Sequence, residues 1–320
     1  MLAVMEFIRS ARVGPTVGDA RAAAVEFGLT TAFMAAVFSL VRWGIDTMTP
    51  GASVTEFHIR VAVVSALVGL VIVGFALSPP GRFSGAHMNP AITLGLYAFG
   101  SVPARRVLPY LVAQASGSIA AAVLTRLVWG PSVSELTVRW AVVQPGRGWT
   151  GPSVAVAEAA TLAVIVGGMC WAKTRRPTWP LVWIVGGLFG LQGAVLGTLT
   201  GGSANPARQL GPALFSGQVH LLAVYLIAPV AGGMLAGWAA CCLRHQSAPP
   251  STRILPAHVV RRRSHVPRTE VRSGRTRHRG VRAGIRAVPR RSPLPQRPDR
   301  RRHGDEAGAA ADHRPPGRLT

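Results

Sequence analysis

Long apolar stretches separated by short polar segments dominate residues 1–243 of the chain. A helix needs about 20 mostly apolar residues to cross the hydrocarbon core of a bilayer. Six stretches meet this length, with one charged residue or none between their ends, and they lie at residues 21–42, 60–82, 106–126, 153–172, 179–199 and 219–243. Buried helices of a soluble protein are the alternative. Six such stretches, each bounded by Arg, Lys or Pro, favour an all-α membrane protein with six transmembrane helices.

Two connections between these stretches are more apolar than loops usually are. Residues 84–100 (SGAHMNPAITLGLYAFG) and 200–217 (TGGSANPARQLGPALFSG) each have a glycine-rich start, an Asn-Pro pair and a short apolar segment. These segments are too short to cross the membrane, and irregular backbone at membrane depth requires surrounding protein or a water-filled cavity. We therefore expect each of them to enter the membrane as a loop and to end in a re-entrant half-helix.

The two segments belong to an internal repeat. The matching positions are Gly85 and Gly201, Asn89 and Asn205, Pro90 and Pro206, Ala91 and Ala207, and Gly95 and Gly211. Glu26 and Glu158 take corresponding places in the first stretch of each half. Each copy (about 21–128 and 153–243) contains three spans, an odd number, so the second copy is inverted in the membrane. Inverted repeats place a shared site near the midplane, where broken helices meet.

The repeated Asn-Pro-Ala motif indicates a pore. Asn is a favoured helix N-cap, and Pro at the first helical position gives up no hydrogen bond. Two half-helices that begin in this way point their positive ends at the centre of the membrane, which repels cations and disfavours proton passage. The amides of Asn89 and Asn205 are then placed to donate hydrogen bonds to a passing water or hydroxyl group. Two ordinary capped helices are the alternative.

These motifs resemble those of the major intrinsic proteins, the aquaporins and aquaglyceroporins, over about residues 20–243. Glu26-Phe-x-x-Thr30 in the first stretch and Gln114-x-x-Gly117-Ser118 in the third are similar to the same family. The resemblance implies six tilted spanning helices, two half-helices that meet at the midplane, and a homotetramer with one pore in each subunit. It also implies a passive channel for water or small uncharged solutes that excludes ions and protons.

The resemblance further implies roles for individual charged residues. In this family the arginine at Arg208 lines the narrowest part of the pore, binds the permeant and repels cations; a side chain that extends to the outer membrane surface is the alternative. Gln209 follows it where glycerol facilitators usually have Asp. Glu26 and Glu158 are expected to accept hydrogen bonds from the re-entrant loops, with a proton relay as the alternative. His87 is expected to pack or to gate at the cytoplasmic mouth, with a ligand role as the alternative.

Three positions are expected to join Arg208 in a selectivity filter. By the spacing of the family, counted back from the two Asn-Pro-Ala motifs, these are Gly69, Gly193 and Gly202. Residues 79–83 (PPGRF) depart from the usual loop, so Val68 is the alternative to Gly69. Small residues beside an arginine are most similar to the filters of plant-type silicic-acid and metalloid channels. We therefore expect glycerol, urea and metalloid hydroxides to fit the filter as well as water.

Charge divides the chain into an apolar body and a basic tail. The net charge is +23, yet residues 1–243 carry 15 Lys and Arg against 7 Asp and Glu, and residues 244–320 carry 20 Arg against 5 Asp and Glu. We predict a cytoplasmic N-terminal segment (1–20), a channel domain (21–243) and a disordered Arg- and Pro-rich tail (244–320). The tail either binds anionic lipid or nucleic acid or is a translation artefact. The channel body is not expected to bind nucleic acid.

Basic residues also predict the orientation in the membrane. The segments on one side of the six spans carry most of them: Arg9, Arg12, Arg21, Arg82, Arg105, Arg106, Lys173, Arg175 and Arg176. Because cytoplasmic loops carry the excess of Lys and Arg, we expect both termini in the cytoplasm and the chain in the plasma (inner) membrane.

Enzymatic chemistry is not indicated by the sequence. Cys170, Cys241 and Cys242 lie in or at the end of apolar runs, without a paired or His-containing pattern, so neither a metal site nor a disulfide nor a cofactor is expected. A secondary transporter is the competing interpretation, because inverted repeats and broken helices occur there too. Only Glu26 and Glu158 are placed to carry a coupling ion.

Overall fold

The computed structural model describes residues 15–46, 53–135 and 139–246, which form helices joined by short loops and no strands. Contacts separate Met1–Pro256 from Ala257–Thr320, and the second unit lies outside the described residues. The same holds for most of the predicted N-terminal segment and tail. The α-helices are α1 (Val17–Val41), α2 (Val54–Leu77), α3 (Pro79–Ser84), α4 (Pro90–Ala98), α5 (Ala104–Trp129), α6 (Gly151–Arg175), α7 (Leu181–Leu196), α8 (Pro206–Ser216) and α9 (Leu222–Gln246).

The first and last long helices extend beyond their apolar stretches. α1 begins four residues before Arg21 because Thr16 and Asp19 form a capping box. The backbone N–H of Asp19 donates to Thr16 Oγ1 (3.2 Å), and that of Thr16 donates to Asp19 Oδ2 (3.0 Å). Arg105 and Arg106, at the start of α5, both form ion pairs with the buried Asp19 carboxylate. At the other end, α9 continues three residues past its predicted end at 243.

Five of the predicted spans appear as helices long and apolar enough to cross a membrane, namely α1, α2, α5, α6 and α9. The span predicted at 179–199 is shorter, because α7 begins only after Pro180 and has 16 residues. At 1.5 Å per residue this is about 24 Å. α4 and α8 are the two half-helices, with 9 and 11 residues. The prediction of an all-α membrane fold with two re-entrant half-helices is confirmed.

The two repeats are interlocked rather than placed side by side. α1 packs on α5 within the first repeat, and α6 packs on α9 within the second, while α2 and α7 pack on each other between the repeats. Each half-helix contacts the last long helix of the other repeat, so α4 packs on α9 and α8 packs on α5. This exchange brings the starts of α4 and α8 to the middle of one bundle.

Close contact between these helices depends on glycines at matching positions. A Cβ added to Gly117 of α5 would lie 2.8 Å from the carbonyl oxygen of Phe27 in α1. A Cβ on Gly232 of α9 would lie 1.9 Å from the carbonyl oxygen of Ala159 in α6. Both distances are too short for a carbon atom, so the repeat preserves glycine where two helix backbones meet.

Candidate functional site

The half-helices begin at Asn89 and Asn205, and these two residues meet inside the bundle. Each is the N-cap of its half-helix, with its Oδ1 accepting from the backbone N–H two residues later (2.8 and 2.9 Å). Asn89 Nδ2 donates to the carbonyl of Ala204 (2.9 Å), and Asn205 Nδ2 donates to the carbonyl of Met88 (3.0 Å). Because an amide NH₂ group has two N–H donors, each asparagine retains one N–H that can donate to a molecule beside it.

Glu26 holds the first re-entrant loop in place. Its carboxylate is fully buried and accepts four hydrogen bonds. The donors are Ser84 Oγ (2.7 Å), the backbone N–H groups of His87 (2.9 Å) and Met88 (2.8 Å), and Gln114 Nε2 (2.9 Å). Donors in this number satisfy a buried carboxyl group away from water, so Glu26 acts as a fixed acceptor for the loop before Asn89.

Glu158 has the matching role in the second repeat. It is fully buried and accepts from Thr200 Oγ1 (3.1 Å), Ser203 N (3.2 Å) and Ala204 N (2.6 Å). The hydroxyl of Tyr225, on α9, donates to the carbonyl of Thr200 and so links α9 to the same loop. Both carboxylates therefore bind loop donors, as expected for structural residues.

A continuous cavity of about 450 Å³ passes both asparagines. Leu181 and Val182, at the start of α7, line one end, and Phe57, at the start of α2, lines the other. Most of the lining is apolar, and the polar residues in it are Ser65, His87, Asn89, Arg139, Gln144, Gln192, Ser203, Asn205 and Arg208. Such a lining lets a small solute pass while offering hydrogen bonds at a few levels only.

Arg208 lies in the first turn of α8 and lines this cavity. Its Nη1 donates to the carbonyl of Ala141 at 2.9 Å. Ala141 ends a short turn, Arg139–Ala141, in which all three residues have positive φ angles of 43°, 58° and 52°. This left-handed backbone costs about 1–3 kcal/mol per non-glycine residue and persists only where the surroundings impose it.

Gln209 supplies part of that support. Its side-chain amide is fully buried and pairs with the backbone of Val143 in both directions. Nε2 donates to the Val143 carbonyl (2.9 Å), and Oε1 accepts from the Val143 N–H (2.9 Å). Trp140, in the turn itself, packs against Phe215 of α8 with ring centroids 5.1 Å apart. α8 therefore carries Arg208 together with Gln209 and Phe215, and these two side chains support the turn whose carbonyl Arg208 binds.

Replacing Gln209 by Met should test this arrangement, because Met keeps the length and removes both hydrogen bonds. The two unpaired backbone groups of Val143 are expected to cost about 1–3 kcal/mol each. We expect a lower melting temperature in detergent and a proton leak closer to that of an Arg208→Ala channel. Gln218→Met is the matched control, because Gln218 is exposed and its side chain accepts a hydrogen bond from the amide of Gln144. Equal melting temperatures and leaks for the two variants would contradict the role.

The structure does not place Gly69 in the cavity wall. A Cβ on Gly69 would lie 2.4 Å from the carbonyl oxygen of Gly186, so this part of α2 packs backbone to backbone on α7. The prediction that Gly69 lines the filter is therefore wrong. The alternative, Val68, does line the cavity, as do Gly193 and Gly202.

Ser65 occupies the level on α2 at which Gly69 was expected. A Cβ on Gly193 would lie 2.7 Å from Ser65 Oγ and 2.9 Å from Ser65 Cβ. α2 and α7 run antiparallel, so a position one turn earlier on α2 faces a residue farther along α7. The family spacing does not account for α3, the additional short helix between α2 and the loop, and Ser65 was missed for that reason.

His87 lines the cavity on the loop before Asn89. Its Nδ1 lies 3.1 Å from Thr93 Oγ1, and its ring meets the ring of Tyr110 edge to face at 5.3 Å. The ring is therefore packed and hydrogen-bonded rather than free. In the part of the chain that the structure describes, no group of three His, Cys, Asp or Glu side chains could hold a metal ion.

Comparison with known proteins gives matches over the helical body. The family model described as "Major intrinsic protein" matches residues 20–240. Aquaporin NIP1-4 of Oryza sativa subsp. japonica is 33% identical over 165 residues, which cover 51% of this chain and 59% of the rice protein. Aquaporin TIP4-1 of Zea mays is 32% identical over 229 residues, which cover 70% of this chain and 86% of the maize protein.

The fold is similar to a solved structure at low sequence identity. The X-ray structure of the aquaglyceroporin from Plasmodium falciparum aligns with a TM-score of 0.57 and 17% identity. The alignment covers 72% of this chain and all of that chain. This likeness concerns the arrangement of the helices.

Proposed function

This chain belongs to the major intrinsic protein family and forms a passive channel for water and small solutes such as glycerol, and we propose that its filter is built for uncharged polar solutes wider than water. The observation that carries the proposal is the wall of the cavity that Arg208 lines. There Ser65, Gly193 and Gly202 contribute only small side chains or none. A wall in which these three positions carry small side chains or none leaves room beside Arg208 for glycerol, urea or uncharged metalloid hydroxides.

Exclusion of ions and protons belongs to the same proposal. The positive ends of α4 and α8 converge where Asn89 and Asn205 meet, and Arg208 adds a full charge on the same path. A cation in the cavity would lose its hydration without finding a carboxylate in the wall, because Glu26 and Glu158 bind the loops and do not line the cavity. This chemistry supports transport of neutral solutes and no catalytic step.

We also propose a homotetramer in the plasma (inner) membrane, with both termini in the cytoplasm and residues 21–243 as the channel domain. Large apolar side chains on the outside of the bundle support a lipid- and subunit-facing surface, such as Val63, Leu67 and Leu70 on α2. The mass of the detergent-solubilised protein by light scattering tests the tetramer. Labelling of single cysteines from either side of the membrane tests the orientation.

Narrowing the filter at Ser65 tests the proposed solute class. In proteoliposomes, the parent should pass glycerol and urea as well as water in stopped-flow swelling measurements. Ser65→Phe should lower glycerol permeability by about tenfold relative to water, which corresponds to about 1.4 kcal/mol added to the barrier. Leu70→Phe is the control, because Leu70 lies on the same helix and is 55% exposed. A parent that passes water alone, or equal effects of both variants, contradicts the proposal.

A further inference from the structure

Gln192 is a buried amide in the cavity wall that neither the motifs nor the family spacing identify. It lies on α7, directly before Gly193, and only 9% of its surface is exposed. Its Nε2 has no hydrogen-bond partner among the described residues, although the atom is fully buried. Buried amide groups are nearly always hydrogen-bonded, so an unpartnered donor beside a cavity needs an explanation.

The amide of Gln192 stands where a side chain of residue 202 would begin. A Cβ built on Gly202 would lie 3.0 Å from Gln192 Nε2, closer than ordinary packing allows. Gly202 also has a positive φ of 60°, a conformation that favours glycine. The space that other residues at position 202 would fill is therefore partly taken by a polar group from the neighbouring helix.

Ser65 likewise takes part of the space that a side chain at position 193 would fill. The Ser65 hydroxyl donates to the carbonyl of Val61 at 2.7 Å, so its remaining capacity is that of an acceptor. Arg208 can only donate, and Gln192 Nε2 offers donors. Beside the two glycines the wall thus offers an acceptor at Ser65, the amide of Gln192 with its unpartnered donor, and the donors of Arg208.

We infer that Gln192 is a specificity-determining residue, which donates a hydrogen bond to a hydroxyl or carbonyl oxygen of the permeant at the filter. This inference rests on the proposed function and names the chemistry of its solutes. A hydroxyl group both donates and accepts, so it can bind Ser65 while it accepts from Gln192 or Arg208. Glycerol and other small polyols fit this pattern, because each hydroxyl that leaves water must regain its hydrogen bonds inside the pore.

Gln192→Met is the decisive variant, because Met matches the length of Gln and removes the donor. The ratio of glycerol to water permeability in proteoliposomes should fall by about tenfold, since a hydroxyl left without its partner at the filter loses a hydrogen bond. The ratio does not depend on how many channels fold. Leu191→Met, on the adjacent residue that is 61% exposed, should leave the ratio unchanged.

Gln192→Ala separates the hydrogen bond from the volume of the side chain. It removes both, so we expect wider solutes to enter while the preference for glycerol over water stays below that of the parent. An unchanged glycerol-to-water ratio in Gln192→Met overturns the inference. If the parent conducts water but no glycerol, the proposed solute class fails. In that case, Gln192 is shown to control the filter only if the Gln192→Ala channel admits glycerol.

Discussion

Proteoliposomes that carry an Arg208→Ala channel are expected to leak protons and small cations. Arg208 lines the cavity and is fixed by the Ala141 carbonyl, so its charge stays on the path of the permeant. A unit charge about 4 Å from a passing cation contributes a barrier of about 4 kcal/mol at an effective dielectric constant of about 20. Loss of even a third of this barrier raises the leak by about tenfold, which a pH-sensitive dye inside the vesicles measures.

Arg208→Lys is the matched control for charge. Lysine keeps the positive charge but lacks the planar set of donors that binds Ala141 and the permeant. We expect it to exclude protons nearly as well as the parent, while glycerol permeability changes. If Arg208→Ala retains water flux and leaks no more than the parent, Arg208 is not the residue that excludes ions.

Loss of either buried carboxylate should prevent most of the chain from folding. Glu26→Leu removes the acceptor of three donors at the first loop and of Gln114 on α5, and Glu158→Leu removes the acceptor of three donors of the second loop. Each unpaired buried donor costs about 1–3 kcal/mol. The sum is comparable to the whole stability of a typical domain, about 5–15 kcal/mol. Fluorescence-detected size exclusion should therefore show little folded protein, with Glu26→Leu the more severe change.

Glu56→Leu provides the control for removal of a carboxylate. Glu56 is half-buried and forms an ion pair with Arg60 one turn away on the same helix, an interaction worth at most about 1 kcal/mol. Glu158→Gln should be intermediate, since one oxygen remains to accept from the loop. Normal yield and melting temperature of both leucine variants would show that the loops are held by other contacts.

The sequence by itself determined the membrane class, the inverted repeat and the residues at which the half-helices begin. Short segments of the sequence are sufficient to identify these features: an apolar stretch of sufficient length, an N-cap followed by proline, and the same motif at matching places of the two halves. Glu26 and Glu158 were also found in this way, as carboxylates at matching places of the two apolar stretches, while their expected role came from the resemblance to the family. Local patterns carry such information without knowledge of the packing.

Only the tertiary structure decided which side chains form the filter wall. With 3.6 residues per turn, the direction of a helical side chain cannot be counted across the breaks at Ser78 and Gly85 on either side of α3, and this moved the α2 position from Gly69 to Ser65. Gln209 meets Val143 across 66 residues, and Gln192 meets Gly202 across a loop. Neither contact follows a local period, because each joins a helix to a non-helical segment whose position depends on the packing of the bundle. The sequence thus determined that this protein has a pore, and the packing of its helices decided what lines that pore.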